Sequence, residues 1–95
     1  MARRIRVGTW YARVAGPLLT RGAPRADAVG RTIRALAATD DLPGGSDYEA
    51  TMHPVGRAWV RRVGSRNLWL WYRFNDAEVS LITMTMEPPV PSDDG

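Results

Sequence analysis

Cysteine is missing from the 95 residues, which excludes disulfides and thiolate chemistry and suits a reducing compartment. Lysine is missing too: all 13 basic residues are arginine. There is one histidine, His53, so a zinc site would have to take every other ligand from carboxylates. No run approaches the roughly 20 apolar residues that span a bilayer. The basic start Met1-Ala2-Arg3-Arg4-Ile5-Arg6 is not followed by an apolar signal segment. No Walker motif, GxGxxG or nucleophile elbow occurs, and one histidine gives no Ser-His-Asp set. These absences lead to the expectation of a cytoplasmic protein with no cofactor, no metal and no membrane partner.

What is present fits one small globular domain over 1–95. Hydrophobic residues make up 44% and charged residues 24%, ordinary for a folded chain and far from a disordered one. The net charge of +3 conceals segregation. Residues 1–34 carry +7, 35–56 carry −4, 57–73 carry +5 and 74–95 carry −5. The plain reading of arginine in place of lysine throughout is the codon bias of a GC-rich genome. The functional reading is that guanidinium forks suit phosphates and carboxylates, so two basic blocks point to an acidic or polyanionic partner.

Alternation of Ile5 and Val7 with Arg4 and Arg6 predicts a short edge strand over Arg3–Val7. Trp10, Val14 and Leu18 recur at helical spacing, but Gly16-Pro17 is expected to cut that segment into one or two short pieces. Val29, Ile33, Leu36 and Ala37 share one face of a helix predicted over Arg25–Ala38, with Asp27 in its first turn. A loop from Asp40 to Ser46 follows. The remainder reads as a β-meander: Asp47–His53 at an edge, then Ala58–Val63, Leu68–Phe74 and Val79–Met86. Turn chemistry separates them at 64–67 and 75–78. Glu87-Pro88-Pro89 ends the sheet, and 88–95 is expected to be a flexible acidic tail. The fold class is α+β, a short N-terminal strand and helices packed on one face of a 3–4-stranded antiparallel sheet.

A two-residue turn at Ser65-Arg66 sets Arg61 opposite Leu70 and Trp59 opposite Tyr72, and the next turn sets Tyr72 beside Leu81. One face then collects Trp59, Val63, Leu68, Leu70, Tyr72, Phe74, Val79 and Leu81. The other collects Val60, Arg62, Trp69, Trp71, Arg73, Ile82, Met84 and Met86. The helices can cover one face, so the second is expected to be an Arg-bordered aromatic surface that binds a partner or, in the free protein, a second copy. Its binding candidates are Arg62, Arg66, Trp69, Trp71 and Arg73. For catalysis the candidates are His53, as a base, and Arg62. The plain readings are that His53 beside Pro54 is a surface or packing residue, the tryptophans are core, and the arginines are a solvated rim.

The segment Arg62-Val63-Gly64-Ser65-Arg66-Asn67-Leu68-Trp69-Leu70-Trp71-Tyr72-Arg73-Phe74-Asn75-Asp76, with Glu78-Val79-Ser80-Leu81-Ile82 after it, resembles the sheet of RelE/ParE-type toxins. The resemblance covers roughly residues 55–86. It implies helices on one sheet face, an antitoxin that wraps and neutralises the toxin, and one of two activities: ribosome-dependent mRNA cleavage or gyrase inhibition. Cleaving members gather cations around the scissile phosphate. Of three such positions, one matches Arg62, while the others fall on Trp69 and near Pro88-Pro89. A C-terminal Tyr or basic helix has no counterpart in 90–95. The resemblance therefore implies a toxin that binds a protein target, gyrase or ribosome, without cleavage, and an acidic antitoxin. The alternatives are a residual mRNA endonuclease and a nucleic-acid or protein binding module with no activity.

Overall fold

The computed structural model of the chain describes residues 2–19 and 22–92. Along it run β1 (Arg4–Val7), α1 (Thr9–Leu19), α2 (Ala23–Ala38), β2 (Tyr48–Met52), β3 (Gly56–Arg62), β4 (Trp69–Phe74) and β5 (Glu78–Thr85). Among the described residues the strands form one five-stranded sheet in the order β1-β5-β4-β3-β2. The α+β class is as expected, but the sheet is mixed rather than a 3–4-stranded antiparallel one. β1 is its fifth strand and lies parallel to β5, with Ile5 beside Val79 and Val7 beside Leu81. The reason is topological: both helices and three strands separate β1 from β5 along the chain, and a connection of that length permits a parallel pair.

Gly16-Pro17 does not divide α1. Pro17 lies in the last turn, where it costs one hydrogen bond near the helix end instead of a break in the middle. α2 begins at Ala23, two residues earlier than expected, because Pro24 is tolerated at the first positions of a helix. Asp27 consequently lies beyond the first turn, not in it.

Both helices cover the same sheet face. Tyr11 and Ala15 from α1, and Ala28, Val29 and Leu36 from α2, pack on Val63, Leu68, Leu70, Tyr72, Val79, Leu81 and Met84. The β3–β4 register is the expected one, with Trp59 opposite Tyr72 and Arg61 opposite Leu70. Tyr72 stands beside Leu81, also as expected, but a bulge follows at once: Trp71 pairs with Thr83 and Leu70 with Met84. Ile82 is the extra residue, and past it β5 changes parity. Met84, expected on the second face, therefore packs on the helix side, while Thr83 and Thr85 join Trp71. The slip provides for the indole: Trp71 Nε1 donates to Thr85 Oγ1 at 3.1 Å.

The second face is largely closed, apart from a hollow of about 540 Å³ where Trp71, Met52 and Thr85 meet residues 86–90. Trp71 is 2% exposed and Trp69 6%. Ala50 and Ala58 pair across β2 and β3, and their small side chains leave room for Trp71, with Val60, Tyr48, Met52 and Ile82 around it. Beyond β5 the chain lies against this face as a strap that ends at the outer edge of β2. Tyr48 Oη donates to Pro89 O at 2.6 Å, Ser92 N–H donates to Glu49 O at 2.7 Å, and Pro91 bridges to Ala50. The stretch 88–92, expected to fray, is thus tied to β2, and 93–95 lie outside the described residues. No described helix is long and apolar enough to cross a membrane.

Candidate functional site

The sequence candidates fall at two ends of the sheet. At one end is the β3–β4 hairpin, closed by Val63 N–H to Leu68 O at 2.8 Å and turned at Gly64, whose φ of 59° is unfavourable for any side chain. Arg62 gathers the hairpin's oxygens. Its Nε donates to Arg66 O at 2.8 Å, and its Nη2 to Ser65 O at 3.2 Å and Asn67 Oδ1 at 3.3 Å. Its guanidinium also stands 5.3 Å from the centre of the Trp69 ring. Arg62 thus shapes the turn, and Trp69 lies beneath it.

At the other end, Arg73 pins the β2–β3 turn through Nε to Arg57 O at 2.9 Å and Nη2 to Val55 O at 2.8 Å. His53 is exposed in that turn. Between the ends lies the length of β3, six steps from Gly56 to Arg62, about 20 Å at about 3.3 Å per residue. Arg62 and Trp69 are brought together and Arg66 joins them only through its carbonyl oxygen, whereas Arg73 and His53 are not with them. A base at His53 and a phosphate clamp at Arg62 do not share one site. Among the described residues no group of three or more His, Asp or Glu side chains is placed to hold a metal.

A third polar cluster stands on the helix side. Asp47, with its side chain 1% exposed, receives Arg61 Nε and Nη2, each at 2.8 Å, as well as Tyr72 Oη and the Gly44 N–H at 2.9 Å. Burial opposes ionisation of Asp47. The hydrogen bonds from Arg61, Tyr72 and Gly44, with the Arg61 charge, outweigh it and hold the carboxyl below the usual range. Tyr72 is shifted the opposite way, above its ordinary value, by burial and then by the Asp47 carboxylate. Hydrogen bonding to Asp47 also raises Arg61, so the pair stays ionised. The Asp47 carboxylate is fully engaged and the cluster lies over core, so its role is to fasten the 44–47 end of the loop to the sheet.

In comparisons with known proteins, no family model, curated protein or solved structure matches the chain.

One surface was missed by sequence reasoning. Ile5 and Val7 lie on the helix side of β1 yet are 37% and 57% exposed, because α2 meets β1 only at its start, where Arg3 N–H donates to Ala37 O, and Trp10 at the start of α1 is 46% exposed. Three arginines border them. Arg4 and Arg6 project from the other face of β1, Arg6 only loosely paired to Glu78 at 3.7 Å, and Arg13 stands over Trp10 at 5.8 Å. Arg4 N–H donates to Ala77 O, just before β5, and Gly8 N–H to Leu81 O, so by alternation the N–H and C=O of Ile5 and Val7 face away from the sheet. The Arg-Ile-Arg-Val pattern held the signal, since an edge strand with apolar residues and no gatekeeping acid invites pairing.

Proposed function

We propose that the chain is a toxin of RelE/ParE type, acting in the cytoplasm by binding a protein target, gyrase or ribosome, and neutralised by an acidic antitoxin. The β1–α1 edge carries this reading. It offers outward main-chain groups at Ile5 and Val7, exposed apolar side chains, and Arg4, Arg6 and Arg13 around them. An extended acidic segment fits all three features. Its backbone continues the sheet, its apolar residues cover Ile5, Val7 and Trp10, and its carboxylates meet the guanidiniums. The order of elements that the resemblance requires, an Arg-rich strand, Gly turn, Tyr-Arg strand, Asp turn and last apolar strand with helices on one face, supports the same reading. Binding without cleavage is favoured by the distance between His53 and Arg62 and by the commitment of Arg62 to the hairpin.

The test is expression of the chain alone and then together with any small acidic protein encoded in an adjacent reading frame. Rescue of growth, lost with Val7→Asp or the Arg4→Glu/Arg6→Glu pair, supports the reading. Equal rescue of wild type and variants places the antitoxin elsewhere and removes the β1 edge from the account.

A further inference from the structure

A hollow of about 430 Å³ lies on the helix side of the β3–β4 hairpin, lined by Arg25, Ser65, Arg66, Asn67, Leu68 and Met86. We propose that it is an oxyanion site that takes a phosphate group. This goes beyond the function proposed above and does not depend on it.

The argument begins on the opposite side of the turn. Arg62 projects from the Trp69 face and draws Ser65 O, Arg66 O and Asn67 Oδ1 toward itself. A trans peptide directs its N–H opposite to its C=O. With Arg66 O aimed at Arg62, the Asn67 N–H is aimed away from Arg62, toward the side where α2 lies. That N–H has no partner among the described residues. The Asn67 amide is oriented by the same contact, since its oxygen is the atom that accepts from Arg62 and its NH2 remains free to donate. The turn's main chain therefore shows acceptors to one side and a donor, the Asn67 N–H, to the other.

Two guanidiniums face those donors. Arg66 makes no side-chain hydrogen bond or ion pair among the described residues, and Arg25 of α2 makes one long bond, to Leu18 O at 3.5 Å. No carboxylate lines the hollow. Two cations lining one hollow with an N–H, an amide and the Ser65 hydroxyl repel one another until an anion enters. Phosphate suits this set better than carboxylate, because it offers more acceptor oxygens and up to two charges to donors arriving from two elements. Met86, 45% exposed, adds an apolar wall on which a base or sugar could rest beside the phosphate.

The test is a 15N NMR titration of the full chain with inorganic phosphate at constant ionic strength, with acetate as the competing anion. Saturable shifts confined to Ser65–Leu68 and the Arg25 region are expected, the largest at the Asn67 N–H. Arg66→Ala and Arg25→Gln should each weaken phosphate binding about tenfold, the scale of one lost charge-assisted hydrogen bond. Arg31→Ala removes the same charge from an exposed position on α2 that does not line the hollow, and should change nothing. Both hairpin and helix variants are checked for native spectra away from the hollow. A 5′-mononucleotide and a single-stranded oligonucleotide form two further arms. Tighter binding of either one than of phosphate identifies the source of the group, and equal binding assigns a free phosphate. Absence of saturable shifts, an equal response to acetate, or an equal loss in Arg31→Ala overturns the proposal.

Discussion

Asp47→Asn is the most demanding perturbation of this fold. The substitution keeps the shape but replaces an oxygen that accepts from Arg61 and Tyr72 with a donor, or leaves the Arg61 fork half met. It also strands the Arg61 charge, whose side chain is 20% exposed. Removing one partner of a fully buried pair costs about 3–5 kcal/mol, and the partial exposure of Arg61 puts the loss near the lower end, about 3 kcal/mol. A chain of this length has about 5–14 kcal/mol in all, so the loss is a large share of it. At about 4–8 °C per kcal/mol the midpoint should fall by about 12–24 °C. Urea unfolding at pH 7 measures it directly. The pH dependence supplies an independent check. Because the folded pKa of Asp47 is depressed, its contribution is present above the unfolded value of about 3.9 and is lost as pH falls through the lower folded value. The gap between wild type and Asp47→Asn should therefore close in acid. A loss below about 1 kcal/mol at pH 7, or a gap that stays constant into acid, would refute this account of the cluster.

Two further outcomes follow from neighbouring features. In Gly44→Ala the new Cβ would run into Arg61 Nη2, the fork must move off Asp47, and thermal unfolding should show a loss of about 1–3 kcal/mol. Ending the chain after Glu87 removes the strap that reaches β2 through Pro89, Pro91 and Ser92. Trp71 should then become accessible to acrylamide quenching and the protein should self-associate in light scattering; a shielded Trp71 would mean that the strap does not cover it.

The sheet register could be read from the chain because alternation and turn chemistry agree through β3 and β4. Trp59, Arg61, Leu70 and Tyr72 leave one register that keeps the apolar set together. The bulge at Ile82 could not be read this way. Thr83-Met84-Thr85-Met86 alternates equally well in either parity, and the choice depends on an indole N–H that needs Thr85. The strap escaped notice for a related reason. A Pro-rich acidic end looks unfit for a sheet, yet Pro89 and Pro91 need only their carbonyls or a bridge position at an edge. Among the site residues, the closeness of Arg62 and Trp69 was legible from hairpin pairing. What the sequence could not reveal was how Arg62 is used, since a guanidinium spent on its own turn and one held out to a ligand look alike in a string of letters.

Induction of the chain in growing bacteria, followed by growth and by primer extension across translated mRNA, tests the proposed function most directly. The prediction is growth arrest without discrete cuts, relieved by the acidic neighbour. Normal growth at high soluble expression would contradict the toxin reading, and arrest with discrete mRNA cuts would contradict the claim that it acts by binding alone.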